Sequence, residues 1–399
     1  MRIGMMADTY KPHVSGVTNY ISLYKTYLER QGHQVFVFTF GAAGQDEGEA
    51  GVIHSPGLAL VDTGFFINLR YSRAAKALLQ TMDVIHVHHP FVSGRLALHY
   101  SRPVRVPVIF TTHTRYDLYI QAYLPFLPEG LGDTFLRGYL PPFCRAVDLV
   151  VSPSQGMAEV LRGLGVDAPI RVIPNGVEFA AWDPARAGPR RADFGLEEDD
   201  VVLMYTGRLA GEKNLAFLLR AFNGVAQAYP RARLLLVGGG PERANLESTT
   251  ADLGLQQRVR FSGVLPYDQI PGVLRLADCF VTASVTEVHP LSMIEAMSAG
   301  LPVLGITSPG VADTIVDGKT GLLAPHDLAS FTARMARLVS SPAERAAMAA
   351  AARAEAARYT MDAVGPLLLA EYERLASTAA RQQRGLRFHT RAWLERWKK

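Results

Sequence analysis

The sequence has only two cysteines, Cys144 and Cys279, far apart and at no metal-ligand spacing, which excludes a disulfide framework and points to a reducing compartment. It has no apolar run of about 18 or more residues, so no segment is expected to span a membrane. The apolar stretch at Met1–Ala7 is too short for the hydrophobic part of a secretion signal. No Asp-x-Asp pair of the kind that holds a catalytic divalent cation occurs. Gly238-Gly239-Gly240-Pro241 follows an apolar run but lacks the third glycine of a dinucleotide fingerprint, which counts against a nicotinamide cofactor.

A basic body is missing too. The net charge of +4 comes from one end, because residues 376–399 carry seven Lys/Arg against Glu395 alone, a net +6. Without that segment there remain 34 bases against 36 acids, so the other 375 residues sum to −2. Such a balance argues against a nucleic-acid-binding body and for a local cationic attachment device.

What is present is globular: 399 residues, 48% hydrophobic and 20% charged, enough for two or three domains. Short apolar, β-branched runs alternate with helical patterns. Strands are expected at 1–7, 34–40, 84–88, 107–112 and 148–152, then at 201–206, 233–238, 279–284 and 302–306. Continuous runs such as Val35-Phe36-Val37-Phe38 and Leu234-Leu235-Leu236-Val237 suit parallel strands covered on both faces. Helices are expected over 17–31, capped by Gly32, over 214–229, before Pro230, and through the Ala/Arg/Glu/Leu-rich segment 343–380. A turn-rich stretch at 174–199, opening with Pro174-Asn175-Gly176, marks the junction of two doubly wound domains. The division is an α/β domain at 1–173, a second at 174–365, and a C-terminal helix with a basic amphipathic tail at 366–399.

Four places carry chemistry. Glu287-Val288-His289-Pro290-Leu291-Ser292-Met293-Ile294-Glu295 follows a buried strand and opens a helix. Pro290 suits its first turn, leaving the Leu291 and Ser292 amides at a positive helix end that attracts anions. Glu295 is placed for a ribose diol and Glu287 for a sugar; both also fit as solvated acids at a helix start. Gly207-Arg208-Leu209-Ala210-Gly211-Glu212-Lys213-Asn214 follows strand 201–206, and two cations at a strand's carboxyl end can clamp a diphosphate. Ser15-Gly16-Val17 lets backbone approach a phosphate, although many strand–helix turns need a glycine. Thr111-Thr112-His113-Thr114 ends a strand with a histidine that suits either a sugar hydroxyl or a structural bond. His86, His88 and His89 invite a zinc reading, but the first two share a face and the third points away, so a core or cleft-lining role fits better.

With Ala299-Gly300-Leu301-Pro302-Val303, Asp317-Gly318-Lys319-Thr320-Gly321 and Pro174-Asn175-Gly176-Val177 in the right order, the chain resembles glycosyltransferase family 4 over residues 1–365. The resemblance implies a GT-B fold, two Rossmann-like domains with the nucleotide-sugar donor in the cleft between them. It implies that Arg208 and Lys213 hold the donor diphosphate, with Gly16 helping. Glu295 would bind the ribose, His113 the transferred sugar, and Val264 the base through its backbone. Glu287 and the segment His289, Pro290, Leu291 and Ser292 would hold sugar and phosphate. Relatives often carry glycine where Pro290 stands, which removes one N–H donor here. It further implies a retaining, front-face transfer that needs no metal and no cofactor beyond the UDP- or GDP-hexose substrate.

For the acceptor, His113-Thr114-Arg115-Tyr116-Asp117-Leu118-Tyr119-Ile120 resembles the corresponding segment of diacylglycerol glucosyltransferases and sulfolipid synthases. The apolar stretch Gly64-Phe65-Phe66-Ile67-Asn68-Leu69 runs into Arg70, Arg73 and Lys76, a pattern that suits an anionic membrane or an ordinary amphipathic helix. In the tail, Leu386, Phe388, Trp393, Leu394 and Trp397 alternate with the cations. The expectation is a cytoplasmic hexosyltransferase, peripheral on the inner face of the membrane, moving glucose from UDP-glucose to a lipid hydroxyl such as diacylglycerol. Alternatives are a GDP-mannose-dependent mannosyltransferase, a transferase for soluble or polyprenyl-linked glycans, a sugar-nucleotide epimerase and a catalytically inert nucleotide-sugar-binding protein.

Overall fold

The computed structural model describes residues 1–12, 15–41, 48–59, 66–123, 131–178 and 189–396, with backbone only at 59, 66–67, 120–123 and 382–396. The chain divides into two compact units. One comprises Met1–Pro153, Ala158–Pro174 and the C-terminal helix from Val364; the other comprises Ser154–Met157 and Asn175–Ala363.

The first unit is built on a seven-stranded sheet. Its strands are β1 (Arg2–Met6), β2 (Gln34–Gly41), β3 (Val52–Pro56), β6 (Val84–Val87), β7 (Val108–Thr111), β8 (Leu149–Ser152) and β9 (Ile170–Val172), and β4 (Leu58–Ala59) with β5 (Phe66–Ile67) forms a small antiparallel pair beside it. The order is β3-β2-β1-β6-β7-β8-β9 and every pairing is parallel. Every residue of β6, β7 and β8 is buried, as expected for strands covered on both faces. Helix Gly16–Arg30 starts at a Ser15/Thr18 capping box and ends at Gln31. Gly32 therefore lies one residue beyond the cap, in the left-handed conformation at φ 82°, rather than at the cap itself.

The second unit carries β10 (Val201–Thr206), β11 (Ala232–Val237), β12 (Val259–Gly263), β13 (Cys279–Thr282), β14 (Val303–Ile306) and β15 (Gly321–Ala324). The order β12-β11-β10-β13-β14-β15 is again all parallel. Leu203, Leu218, Phe222, Leu234 and Phe331 form the centre of one apolar layer, and Met204, Leu235, Phe280, Met293 and Val303 the centre of the other. This α/β arrangement of two parallel sheets is the GT-B fold.

One expected helix is broken. Segment 343–380 divides into Pro342–Ala356 and Met361–Arg396 around Ala357–Thr360. There the Val177 amide donates to the Tyr359 carbonyl at 2.8 Å, and the Met361 amide donates to Val177 at 2.9 Å. The break frees backbone groups that the 174–177 turn then satisfies. Cys144 and Cys279 are free and buried, and burial pushes each thiol up to about 12. Among the described residues, no helix is long and apolar enough to cross a membrane.

Candidate nucleotide-sugar site

In the second unit the site grows from loops at the carboxyl ends of adjacent strands, where a doubly wound sheet binds ligands. The loop after β10 is pressed against Gly238-Gly239-Gly240, which follows β11. Gly238 and Gly240 have φ of 138° and 155°, and a Cβ on either would collide with the carbonyl oxygen of Gly207 or Leu209. The Leu209 amide donates to Gly239 at 2.8 Å, and the buried Tyr205 hydroxyl donates to the Arg208 carbonyl at 3.1 Å. These glycines thus serve close packing of the loop that carries Arg208.

Arg208 is 60% exposed and pairs with Glu212 at 2.6 Å. Lys213 lies deeper and donates to Glu287 Oε1 at 2.7 Å, joining the loop after β10 to the loop after β13. Burial by itself raises the Glu287 carboxyl. The charge and hydrogen bond of Lys213, with a hydrogen bond from Ser284, outweigh that and hold it below the usual range. Asn214, at φ 54°, donates to the Ala283 carbonyl at 3.2 Å and locks the two loops together.

Helix Leu291–Ser298 opens after Pro290, which is the cap at φ −76°, ψ 109°. Pro290 therefore stands one residue before the first turn expected of it. The chain first bonds back at Met293, whose amide donates to the Pro290 carbonyl at 3.2 Å, leaving the Leu291 and Ser292 amides at the positive end. His289 turns away from this end. Its Nδ1 accepts from the Asn175 amide at 3.2 Å, its carbonyl accepts from Asn175 Nδ2 at 2.9 Å, and its ring meets Tyr359 edge-on at 5.1 Å. Burial lowers the imidazole to about 3, so it is neutral and its side chain is a brace. Glu295 is buried and accepts from the Tyr267 hydroxyl at 2.7 Å. Burial raises its carboxyl to about 7, against the smaller lowering effect of that bond. Val264 is 80% exposed beside Gly239.

In the first unit Gly16 begins helix Gly16–Arg30, and a Cβ there would meet nothing within 4 Å, so no contact inside the protein demands glycine. One turn on, Tyr20 lays its ring 4.7 Å from that of His113, after β7. Burial, then the neighbouring His86 and His89, holds His113 well below the usual imidazole range. His86 and His88 are fully buried with rings 4.3 Å apart, whereas His89 Nδ1 accepts from the Asp8 amide. Among the described residues no group of three or more His, Cys, Asp or Glu is placed to hold a metal. Arg115 clamps Asp117 bidentately at 2.9 and 2.6 Å.

The expected residues thus join as Lys213–Glu287, as the Arg208 loop, and as the helix start at Leu291. Tyr267 and Tyr20, which hold Glu295 and His113, carry no local signal, since each acts on a residue distant in sequence. Glu212 and Asn175 lie inside the sequence motifs, but their bracing roles are not expected from them. Of the expected membrane-facing residues, Gly64, Phe65, Trp397, Lys398 and Lys399 lie outside the described residues. Leu58 and Leu69 are 82% and 83% exposed, and Arg73 and Lys76 lie on the outer side of helix Arg73–Leu79, which buries Ala75 and Leu79.

Two family models match the chain: glycosyltransferase family 4 over residues 14–180 and glycosyl transferases group 1 over residues 189–355. The α-monoglucosyldiacylglycerol synthase of Streptococcus pneumoniae is 30% identical over 356 residues, covering 86% of this chain and 79% of its own length. The enzyme of the same name from Acholeplasma laidlawii is 27% identical, covering 81% and 84%. Among solved structures, Anabaena HepE in complex with UDP and glucose aligns at a TM-score of 0.73 with 20% identity, covering 94% of this chain and all of that one. With both halves matched and this identity held across most of a relative's length, the chain belongs to glycosyltransferase family 4.

Proposed function

We propose that this glycosyltransferase moves glucose from UDP-glucose to a membrane lipid hydroxyl of the diacylglycerol type, with retention of the α configuration and without a metal. The observation that carries the reading is the placement of Arg208 and Lys213 at the carboxyl end of β10, each held by a carboxylate that a diphosphate can displace. As the sugar–phosphate bond lengthens, negative charge grows on the leaving diphosphate. Preorganised cations there stabilise the transition state more than the ground state. The Leu291 and Ser292 amides add two donors at a positive helix end.

Released from Lys213, Glu287 accepts from hydroxyls of the donor sugar, while Glu295 accepts from the ribose diol and the Val264 backbone meets the base. Gly16 lets backbone approach the diphosphate, and His113 bonds the transferred sugar. The acceptor hydroxyl attacks the anomeric carbon on the face the diphosphate leaves, its proton passing to the departing phosphate oxygen. Similarity to two enzymes named for α-monoglucosyldiacylglycerol supports the lipid acceptor and the α product. The UDP and glucose of the HepE complex support the donor class. Exposed Leu58 and Leu69 beside outward Arg73 and Lys76 support attachment at the membrane surface.

Incubation with UDP-glucose and diacylglycerol in anionic vesicles, with excess EDTA, tests the whole reading. The expected product is α-glucosyldiacylglycerol by mass spectrometry and NMR. A β-linked product, transfer only from GDP-mannose, or a rate abolished by EDTA and restored by Mg²⁺ would overturn it.

A further inference from the structure

A row of polar side chains, all buried except the half-buried His113, crosses the first unit. His86 and His88 come from β6 and its end, Thr111 and His113 from β7 and its end, Tyr20 from helix Gly16–Arg30, and Tyr372 from the C-terminal helix. His86 is satisfied on both ring nitrogens, with Tyr372 Oη 2.6 Å from Nδ1 and Thr111 Oγ1 2.7 Å from Nε2. His88 differs. Its Nδ1 lies 3.0 Å from His113 Nε2, while its Nε2 is buried with no partner among the described residues. Tyr20 packs edge-on against both rings, at 5.5 Å from His88 and 4.7 Å from His113, and prevents either from turning freely.

Burial, reinforced by the neighbouring histidines, keeps His88 and His113 well below the usual imidazole range, so each ring carries one proton. In a contact between two neutral imidazoles one nitrogen must donate and the other accept. If His113 donated from Nε2, His88 would carry its proton on Nε2, leaving a buried N–H without an acceptor. If His88 donates from Nδ1, the orphan is a bare lone pair. Buried donors without partners are rarer than buried acceptors without partners, so the second arrangement is favoured.

We infer that His88 is a positioning residue that donates from Nδ1 to His113 Nε2 and thereby fixes His113 as the Nδ1–H tautomer. His113 then offers its remaining nitrogen as a hydrogen-bond donor to an oxygen of the transferred sugar, a consequence that rests on the sugar-contact reading above. Two imidazoles set the polarity of one contact.

The tautomer is read directly from long-range ¹H–¹⁵N spectra of the full-length protein labelled with ¹⁵N-histidine, His113 being assigned with His113→Gln. Wild type is expected to show His113 protonated on Nδ1. In His88→Phe this preference should reverse to the Nε2–H form that free imidazole side chains favour. In His88→Asn, whose amide nitrogen stands near the place of Nδ1, the wild-type form should return. With the loss of one neutral hydrogen bond, kcat should fall about tenfold in His88→Phe, recover in His88→Asn, and leave UDP affinity unchanged. A wild-type His113 protonated on Nε2 overturns the inference, even if a variant fails to fold, and so does a His88→Phe protein that keeps the Nδ1–H form. Full activity in His113→Ala would remove the sugar contact and leave the tautomer result standing.

Discussion

Lys213 donates to Glu287 across 2.7 Å between loops 74 residues apart, whereas the equally short Arg208–Glu212 pair is local and Arg208 is largely in solvent. The two cations should therefore behave alike in catalysis and differently in stability. Each alanine variant should lower kcat by about 10²–10³, the size of a lost transition-state contact. Arg208→Ala should leave the unfolding midpoint nearly unchanged, because an exposed pair contributes under about 1 kcal/mol. Lys213→Ala leaves a carboxylate without its cation and should cost up to about 3 kcal/mol, with most of that recovered in Lys213→Ala/Glu287→Gln. Urea denaturation beside steady-state kinetics checks both, and near-normal turnover in the two single variants would dismiss the clamp.

The Tyr267–Glu295 contact predicts a pH dependence. Glu295 binds its proton more tightly in the folded protein, at about 7, than at its ordinary 4.5. Its contribution is therefore most favourable at and below pH 4.5 and declines as pH rises through about 7, by roughly 3 kcal/mol in full. Glu295→Gln should flatten that part of the stability–pH curve. If the carboxylate accepts from ribose, UDP affinity should fall as pH drops below about 7. Tyr267→Phe, which removes the bond that lowers the carboxyl, should move this midpoint upward. Calorimetric titration of UDP from pH 5.5 to 8.5 measures it, and a flat profile would deny Glu295 the ribose.

Gly16→Ala separates packing from function. The added methyl meets nothing in the protein, and at a helical position it should stabilise by about 0.4–1 kcal/mol. Turnover should nevertheless fall, because the methyl occupies the approach to phosphate. Unchanged kcat and KM for the donor would show that Gly16 does not touch it.

Deleting residues 381–399 should weaken cosedimentation with anionic liposomes and raise KM for a lipid acceptor. The removed segment carries the whole +6 excess, and each cation near such a surface contributes about 1 kcal/mol. Salt should weaken binding of the full chain, since screening acts within about 8–10 Å. UDP affinity should survive. Equal liposome binding by the truncated protein would move the anchor to the exposed Leu58 and Leu69.

By itself the sequence determined the nine central strands and the order in which the site's loops follow them. A strand covered on both faces must be a continuous apolar run, and Val35–Phe38 and Leu234–Val237 can be little else. Apart from the short pair β4 and β5, the strands it did not reveal, β3, β9, β12 and β15, are the edges of the two parallel sheets. An edge strand has one neighbour and tolerates residues such as His54, Arg171, Arg260 or Gly321, so its pattern resembles a loop. The candidate site divides the same way. Arg208, Lys213, Glu287 and Glu295 were legible because strand ends and helix starts announce themselves locally. Only the tertiary structure decided the partners of Lys213, Glu287 and Glu295. β13 lies beside β10 in the sheet although two strands intervene in the chain, and that adjacency alone brings Glu287 to Lys213. Which strands become neighbours depends on how whole faces bury against helices, and no local stretch of residues encodes it.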